Sequence, residues 1–461
     1  MPGLLHQPLL KQDAPRTWNV THTDPTGPNP EESMTRTLLF ALIAFSVPLA
    51  LDYYVFRNWR RFAQERPRLR WTLPVYRVML GVMPFMMPFY ALTSRWWQVE
   101  PKLARALFLG FWIFYYAPKV LIALVLLIKD FLRFVWWLFA WFQRHLLPAP
   151  AEAAPPDETA PPLDLTDIKW TSRRDFLQTI GWSAASVPFV LVGYGVFRTL
   201  YDFDVYRVEV PLAGLPRSLD GLTIAQLSDL HAGSFFSHRP MAEAADLTQS
   251  LHPDLIVVTG DFVNRDAAEM DLIMPAMQGL KADLGVYGCL GNHDHYARLT
   301  DVVGRVRATP VDLLVNEHRT LEIDGARLHL IGTDNTGFSQ HFADLPRALD
   351  GLAPHPDGEE IRILLAHTPT FWDTHVRPGY PDIDLMLCGH THGGQVGLEW
   401  GPLRYSLARV AYDRWAGLYT EPRTGNPDPQ FLYVNRGLGT VGPPVRLGIR
   451  PEITLLTLRR A

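Results

Sequence analysis

An N-terminal all-α transmembrane region followed by an α/β domain is the architecture the sequence predicts, and three observations predict it. Apolar runs of membrane-spanning length crowd the first 200 positions. A Pro/Ala/acid stretch, Pro148–Pro162, then interrupts the chain. From about Asp204 onward, short β-rich runs alternate with helix-period segments. A length of 461 residues accommodates such a division, since domains run to roughly 100–200 residues.

Composition excludes several alternatives. With 43 basic and 47 acidic side chains the formal charge is −4, so no nucleic-acid partner is expected. Two cysteines rule out a disulfide framework and a cysteine-ligated zinc module. Cys289 and Cys388 each end an apolar strand and read as core thiols, with a disulfide between them as the alternative outside the cytoplasm.

Residues 1–35 are polar, carry prolines and show no periodicity, which predicts a flexible tail. Residues 36–147 are expected to form three transmembrane helices, on the stretches Thr37–Phe56, Leu73–Leu92 and Ala106–Ile128. Arg77 and Lys119 interrupt the second and third, where each either snorkels or faces the bundle. Phe131–Phe142 is too short for a further span and reads as an interfacial extension of the third helix. Residues 148–170 form the Pro/Ala-rich linker.

Residues 171–203 hold Ser172-Arg173-Arg174-Asp175-Phe176-Leu177 and a fourth apolar stretch, Phe176–Phe197. That start is similar to a twin-arginine export signal, which makes the export machinery a partner; an ordinary positive-inside anchor is the alternative. No small-residue cleavage site follows, so the helix is expected to remain as an anchor. Arg57, Arg60, Arg61, Arg66, Arg68 and Arg70 mark the loop after the first helix as cytoplasmic, and Lys129, Arg133, Arg144, Lys169, Arg173 and Arg174 mark the loop after the third. Alternation places residues 204–461 outside the cytoplasm of a bacterial inner membrane.

In that last region Leu222–Leu227, Leu255–Thr259, Gly285–Leu290, Leu328–Gly332, Ile361–Ala366 and Ile383–Cys388 read as strands, with helices over Pro240–Ser250 and Leu345–Leu352. Metal-type side chains recur where the strands stop: Asp229 and His231, Asp261, Asn292-His293-Asp294, His367, and His390 with His392. Carboxyl ends of strands in an open α/β sheet converge on one crevice. In extended chain, residues i and i+2 point the same way, which aims Asp229 with His231, and His390 with His392, at one point. Carboxylates and imidazoles suit Mn, Fe or Zn rather than Ca. Each motif alone is weak; all five in this order are hard to reach by accident.

With these residues in view the sequence resembles the calcineurin-like metallophosphoesterases, in a bacterial membrane-associated branch, over about Leu222–Arg459. The family pattern Asp-x-His, Gly-Asp-x-x-Asp, Gly-Asn-His-Asp, lone His and Gly-His-x-His is present, except that Asn264 replaces its second Asp. The resemblance implies a four-layer αββα sandwich and two divalent transition ions. Asp229, His231 and His392 would hold one ion, Asp261 would bridge, and Asn292, His367 and His390 would complete the other. It implies hydrolysis of a phosphodiester or pyrophosphate bond, of a lipid-linked substrate in a membrane-anchored enzyme, by metal-activated hydroxide attack. His293 would serve the leaving group as proton donor. Asp294 would orient His293 through the other ring nitrogen, or else only cap a turn. Asn335, Asn435 and Arg436 are candidate substrate contacts, whereas His238, His295 and His341 read as surface histidines. The alternatives are a nucleotide phosphodiesterase or nuclease, and a non-catalytic membrane scaffold with a decayed hydrolase domain.

Overall fold

The computed structural model describes residues 30–92, 102–146, 179–336, 342–353, 359–423 and 428–461, apart from gaps of one or two residues. The expectations for residues 1–29, the linker, Ser172–Leu177 and His341 lie outside the described residues.

The N-terminal region is helical: α1 (Pro30–Gln64), α2 (Thr72–Leu92) and α3 (Lys102–Leu146). Among the described residues, the stretch Pro67–Phe89 is long and apolar enough by composition to cross a membrane. α3 runs unbroken for 45 residues, through Phe131–Phe142 and past Pro118. The three helices turn apolar side chains outwards, with Val47, Val78 and Val125 all at least 60% exposed. Charge is hidden inside them instead. Asp52 of α1 and Lys119 of α3 are buried as an ion pair. Tyr116 donates its hydroxyl to Asp52 at 2.8 Å, and the Tyr115 ring lies under the Lys119 ammonium. Hydrocarbon reverses the usual pattern, because a charge facing lipid is costly unless it finds a partner. Lys119 therefore faces the bundle, and Asp52 is a partner that hydropathy reading passed over; Arg77 is exposed.

Residues 204–461 build two six-stranded sheets. The first runs β1 (Asp204–Leu212), β14 (Glu452–Arg460), β2 (Thr223–Leu227), β3 (Leu255–Thr259), β4 (Val286–Cys289), β5 (Val311–Leu313). The second runs β12 (Gly417–Glu421), β13 (Gln430–Val434), β9 (Leu385–Cys388), β8 (Glu360–Leu365), β7 (Ala326–Gly332), β6 (Glu317–Ile323). Pairing is parallel from β2 to β5 and from β7 to β13, so strand ends gather on one side of each sheet.

The layers follow from residue alternation along β3. Leu255 and Val257 meet Ile361, Ile363, Leu385 and Leu387 of the second sheet. Ile256 and Val258 face Met241 and Ala244 of helix Arg239–Ser250. On the far face of the second sheet, Leu364 and Met386 pack on Phe371 and Trp372. Both sheets are thus buried on both faces, as continuous apolar strands require. The αββα sandwich is the fold. Cys289 and Cys388 are buried free thiols within it, raised well above the ordinary thiol pKa by burial.

Candidate metal centre

The metal-type side chains follow the ends of β2, β3 and β4 in one sheet and β8 and β9 in the other. They assemble into two adjoining groups. In the first, Asp229, His231 and His392 place their ligand atoms within 4.8 Å of one another. His231 Nε2 lies 3.1 Å from His392 Nε2, and His392 Nε2 lies 3.3 Å from Asp229 Oδ1. In the second, His367 Nε2 lies 3.1 Å from Asp261 Oδ2 and 3.3 Å from His390 Nδ1. Asn292 Oδ1 joins it, 2.9 Å from His390 Nδ1. Asp261 Oδ2 stands between the groups, since it is also 3.3 Å from His231 Nε2.

Strand geometry does not account for the aim of these side chains. Asp229, His231, Asp261, His390 and His392 all have left-handed backbone, with φ between 43° and 72°. Such conformations cost on the order of 1–3 kcal/mol each at non-glycine residues and concentrate at functional sites. They also correct the expectation from alternation. His390 and His392 are two residues apart, yet they serve different groups. The cradle leaves no spare volume. A Cβ on Gly389 would overlap the Ser228 hydroxyl and the Asp229 carboxylate. Gly437, at φ 72°, would bring a Cβ to 2.7 Å from that of Asp229.

The donor chemistry fits a pair of divalent ions. Donor atoms about 2.0–2.2 Å from a cation sit roughly 3 Å apart along the edges of its coordination shell, which matches the 3.1–3.3 Å separations here. Among the described residues, His231 Nδ1 and His392 Nδ1 are buried without a hydrogen-bond partner. Burial pushes His390 down to about 3, reinforced by the charge of His367, and pushes His392 well below the ordinary imidazole value. Both therefore present lone pairs. For His367, burial opposes charge, but Asp261 and Asp229 outweigh it and raise the imidazole to about 10. Two buried carboxylates demand positive charge at this point. His367 Nδ1 is tied to the Thr259 carbonyl at 2.7 Å. A carbonyl only accepts, so Nε2 is the atom left facing the centre.

His293 stands beside both groups, its ring 4.7 Å from that of His231. Its backbone N–H donates to Asp261 Oδ1 at 2.8 Å. Burial lowers its pKa, with Asp261 opposing. Asp294 does not orient it. The His293 Nδ1–H donates to the Asn264 carbonyl at 2.8 Å, while the buried Asp294 carboxylate accepts from the amides of Asp261, Phe262, Val263 and Gly291. Burial, reinforced by Asp261, pushes that carboxyl up to about 7. Its work is to tie the loop after β3 to the loop after β4, the turn-holding alternative. The structure also corrects two substrate candidates. Asn435 is fully buried and bonded to Thr454 and the Gly437 amide. Arg436 is 3% exposed, held by Glu452 and by Glu399 at 2.7 Å, and therefore braces the domain instead of meeting substrate. Asn335 is buried, its carbonyl accepting from Phe342 and Ala343. His238 is exposed, whereas His295 is paired with Asp334 at 2.7 Å.

Two further residues bear on the centre. Tyr412 Oη lies 2.9 Å from His390 Nε2, and no motif surrounds it in the sequence. The fully buried Arg446 donates to the carbonyls of Arg436, Gly437 and Gly439, fixing the loop behind Asp229 and His231. Burial draws its guanidinium down to about 10.

Known proteins resemble both halves of the chain. A family model described as "Probable Calcineurin-like phosphoesterase, transmembrane domain" matches residues 35–200, and one described as "Calcineurin-like phosphoesterase" matches residues 222–394. A "Transmembrane protein with metallophosphoesterase domain" of Bos taurus is 33% identical over 291 residues, covering 60% of this chain and 62% of that protein. The "Uncharacterized metallophosphoesterase YkuE" of Bacillus subtilis is 32% identical over 302 residues, covering 63% of this chain and 99% of that protein. The UDP-2,3-diacylglucosamine pyrophosphatase LpxG of Chlamydia trachomatis is 28% identical over 293 residues, covering 52% of this chain and 84% of that protein. The chain spans 62–64% of the length of its cattle and zebrafish relatives.

Proposed function

The chain belongs to the calcineurin-like metallophosphoesterases with a transmembrane domain, and from that premise we propose that it hydrolyses a phosphodiester or pyrophosphate bond of a lipid-linked substrate. The observation that carries the reading is the position of Asp261 Oδ2, within 3.3 Å of one imidazole from each group. Asp229, His231 and His392 are assigned to one divalent transition ion; Asn292, His367 and His390 are assigned to the other, with Asp261 shared. Mn, Fe and Zn all suit these donors. Such a pair supplies Lewis acidity, which neutralises phosphate oxygens and makes a nucleophile of water near neutral pH.

The chain's own groups do the rest. The Asn264 carbonyl fixes the Nδ1 proton of His293 and leaves Nε2 to exchange a proton with the departing oxygen. Asp294 holds together the two loops that carry Asp261 and His293. A lipid-linked pyrophosphate or diester is supported by the membrane domain and by the name of the chlamydial relative. In the test, the full chain in nanodiscs is given a chromogenic phosphodiester. Turnover is expected with added Mn and is expected to stop with chelator. No turnover with Mn, Fe or Zn, and no bound metal, would leave a scaffold as the remaining reading.

We place the catalytic domain outside the cytoplasm, on the arginine-rich loops after the first and third helices. The Ser172–Leu177 run supports twin-arginine delivery of the anchor. A reporter enzyme that works only outside the cytoplasm, fused after Ala461, is expected to be active; a silent fusion that is active in a cytoplasmic reporter format reverses the orientation.

A further inference from the structure

The hairpin β10 (Gly397–Trp400) and β11 (Leu403–Ser406) forms a two-stranded sheet of its own, directly after the metal-centre loop His390–Gln395. Its faces are inverted relative to water. Leu398 pairs with Tyr405, and Leu403 lies two residues before Tyr405, so these three share one face. Leu398, Leu403 and Tyr405 are 47%, 55% and 53% exposed, and Leu407 and Val410 just beyond are 56% and 85% exposed. The opposite face is polar and bonded to the domain, with Ser406 buried and Glu399 partly so. Glu399 accepts from Arg404 at 3.0 Å and from Arg436 at 2.7 Å, and the buried Ser406 hydroxyl bonds the Gly393 carbonyl. A hairpin serving only an aqueous surface would turn the other way.

Its location says what meets the apolar face. The anchor region, residues 179–200 as far as described, exposes Val187, Val190, Leu191 and Tyr194 and is helical at residues 193–195. There the Gly195 carbonyl accepts from the Arg446 amide at 3.4 Å, and the Thr199 hydroxyl bonds the Arg446 carbonyl. The next residue, Leu447, accepts from the Gly397 amide at 2.9 Å. Anchor end, residues 446–447 and hairpin base are therefore contiguous. Exposed apolar side chains thus occur on both the anchor and the adjoining hairpin, and Arg409 beside them is exposed as well.

We propose that the hairpin and the turn after it, residues 397–410, dock their apolar face into the surface of the bilayer that holds the chain's own helices. This rests on the membrane-anchored reading above and extends it. The segment begins at the ligand loop and leads back to Tyr412 at His390, so docking sets the metal centre against substrate presented in the membrane.

The test uses the full chain in nanodiscs of phosphatidylethanolamine and phosphatidylglycerol, spin-labelled at single cysteines introduced at Leu403 or Val410. Asp283, exposed at the opposite end of β4 from Asn292, is the aqueous control. Labels at 403 and 410 are expected to be reached by oxygen more readily than by a water-soluble nickel chelate, with the reverse at 283. Nickel accessibility at 403 and 410 equal to that at 283 overturns the proposal. As a second arm, L403D/V410D is expected to slow cleavage of a phosphodiester lipid in vesicles at least tenfold while sparing a soluble chromogenic diester. Equal effects on both, or none on either, also overturn it. Absence of all phosphoesterase activity would instead strike at the functional reading, leaving the label depths to decide the docking.

Discussion

Asp261→Asn is expected to strip the protein of its ions and lower kcat/KM by more than about a hundredfold, beyond the loss from perturbing a supporting residue. The carboxylate is buried, and one oxygen faces an imidazole from each ligand group. Two unit charges about 4 Å apart repel by roughly 4 kcal/mol at an effective dielectric of 20, and divalent ions repel more strongly. An anion held between them would make double occupancy tolerable. Asparagine keeps the shape and can still accept the His293 amide, now 2.8 Å from Oδ1, so the fold should survive. Elemental analysis of the desalted variant, together with circular dichroism, checks this. A folded variant that keeps two ions and its rate would remove Asp261 from the shared position.

His293→Ala is expected to lower kcat by about 10²–10⁴-fold, the usual contribution of a positioned proton donor, with metal content unchanged. The loss should shrink for a nitrophenolate leaving group, which departs without a proton, and be largest for an alkoxide. A purely structural role would not produce that dependence. The same ring also belongs to a cluster with His231 and Asp261. Loss of one ion from the alanine variant would therefore make His293 a ligand instead of a proton donor.

The centre was more legible in the sequence than the frame around it. The candidate ligands sit in short local motifs, each closing an apolar strand, so pattern alone singled out the Asp and His residues that the fold brings together. Long-range pairing leaves no such trace. β14 inserts between β1 and β2, from the far end of the domain, and its EITLLTLRR run does not announce those neighbours. Arg436 and Asn435 misled for a related reason: an arginine near a phosphate site reads as a phosphate contact until Glu452 and Glu399, distant in sequence, are seen to hold it. Asp294 follows a histidine in every reading of the motif, but its carboxylate points back to the amides of its own and the preceding loop. Asp52 was hidden because hydropathy averages over a span and cannot show that one acid has a lysine 67 residues away.

Each ligand group draws on both sheets: Asp229 and His231 follow β2 while His392 follows β9, and Asp261 follows β3 while His367 follows β8. His231 and His392, whose nitrogens meet in the first group, are 161 positions apart along the chain. A cation gripped by both would act as a rivet through the sandwich, closing a loop whose entropic cost the chain would otherwise meet from packing alone. Ion affinity and the mutual alignment of the two sheets would then be linked, so that whatever loosens the rivet would let the halves of the sandwich slide.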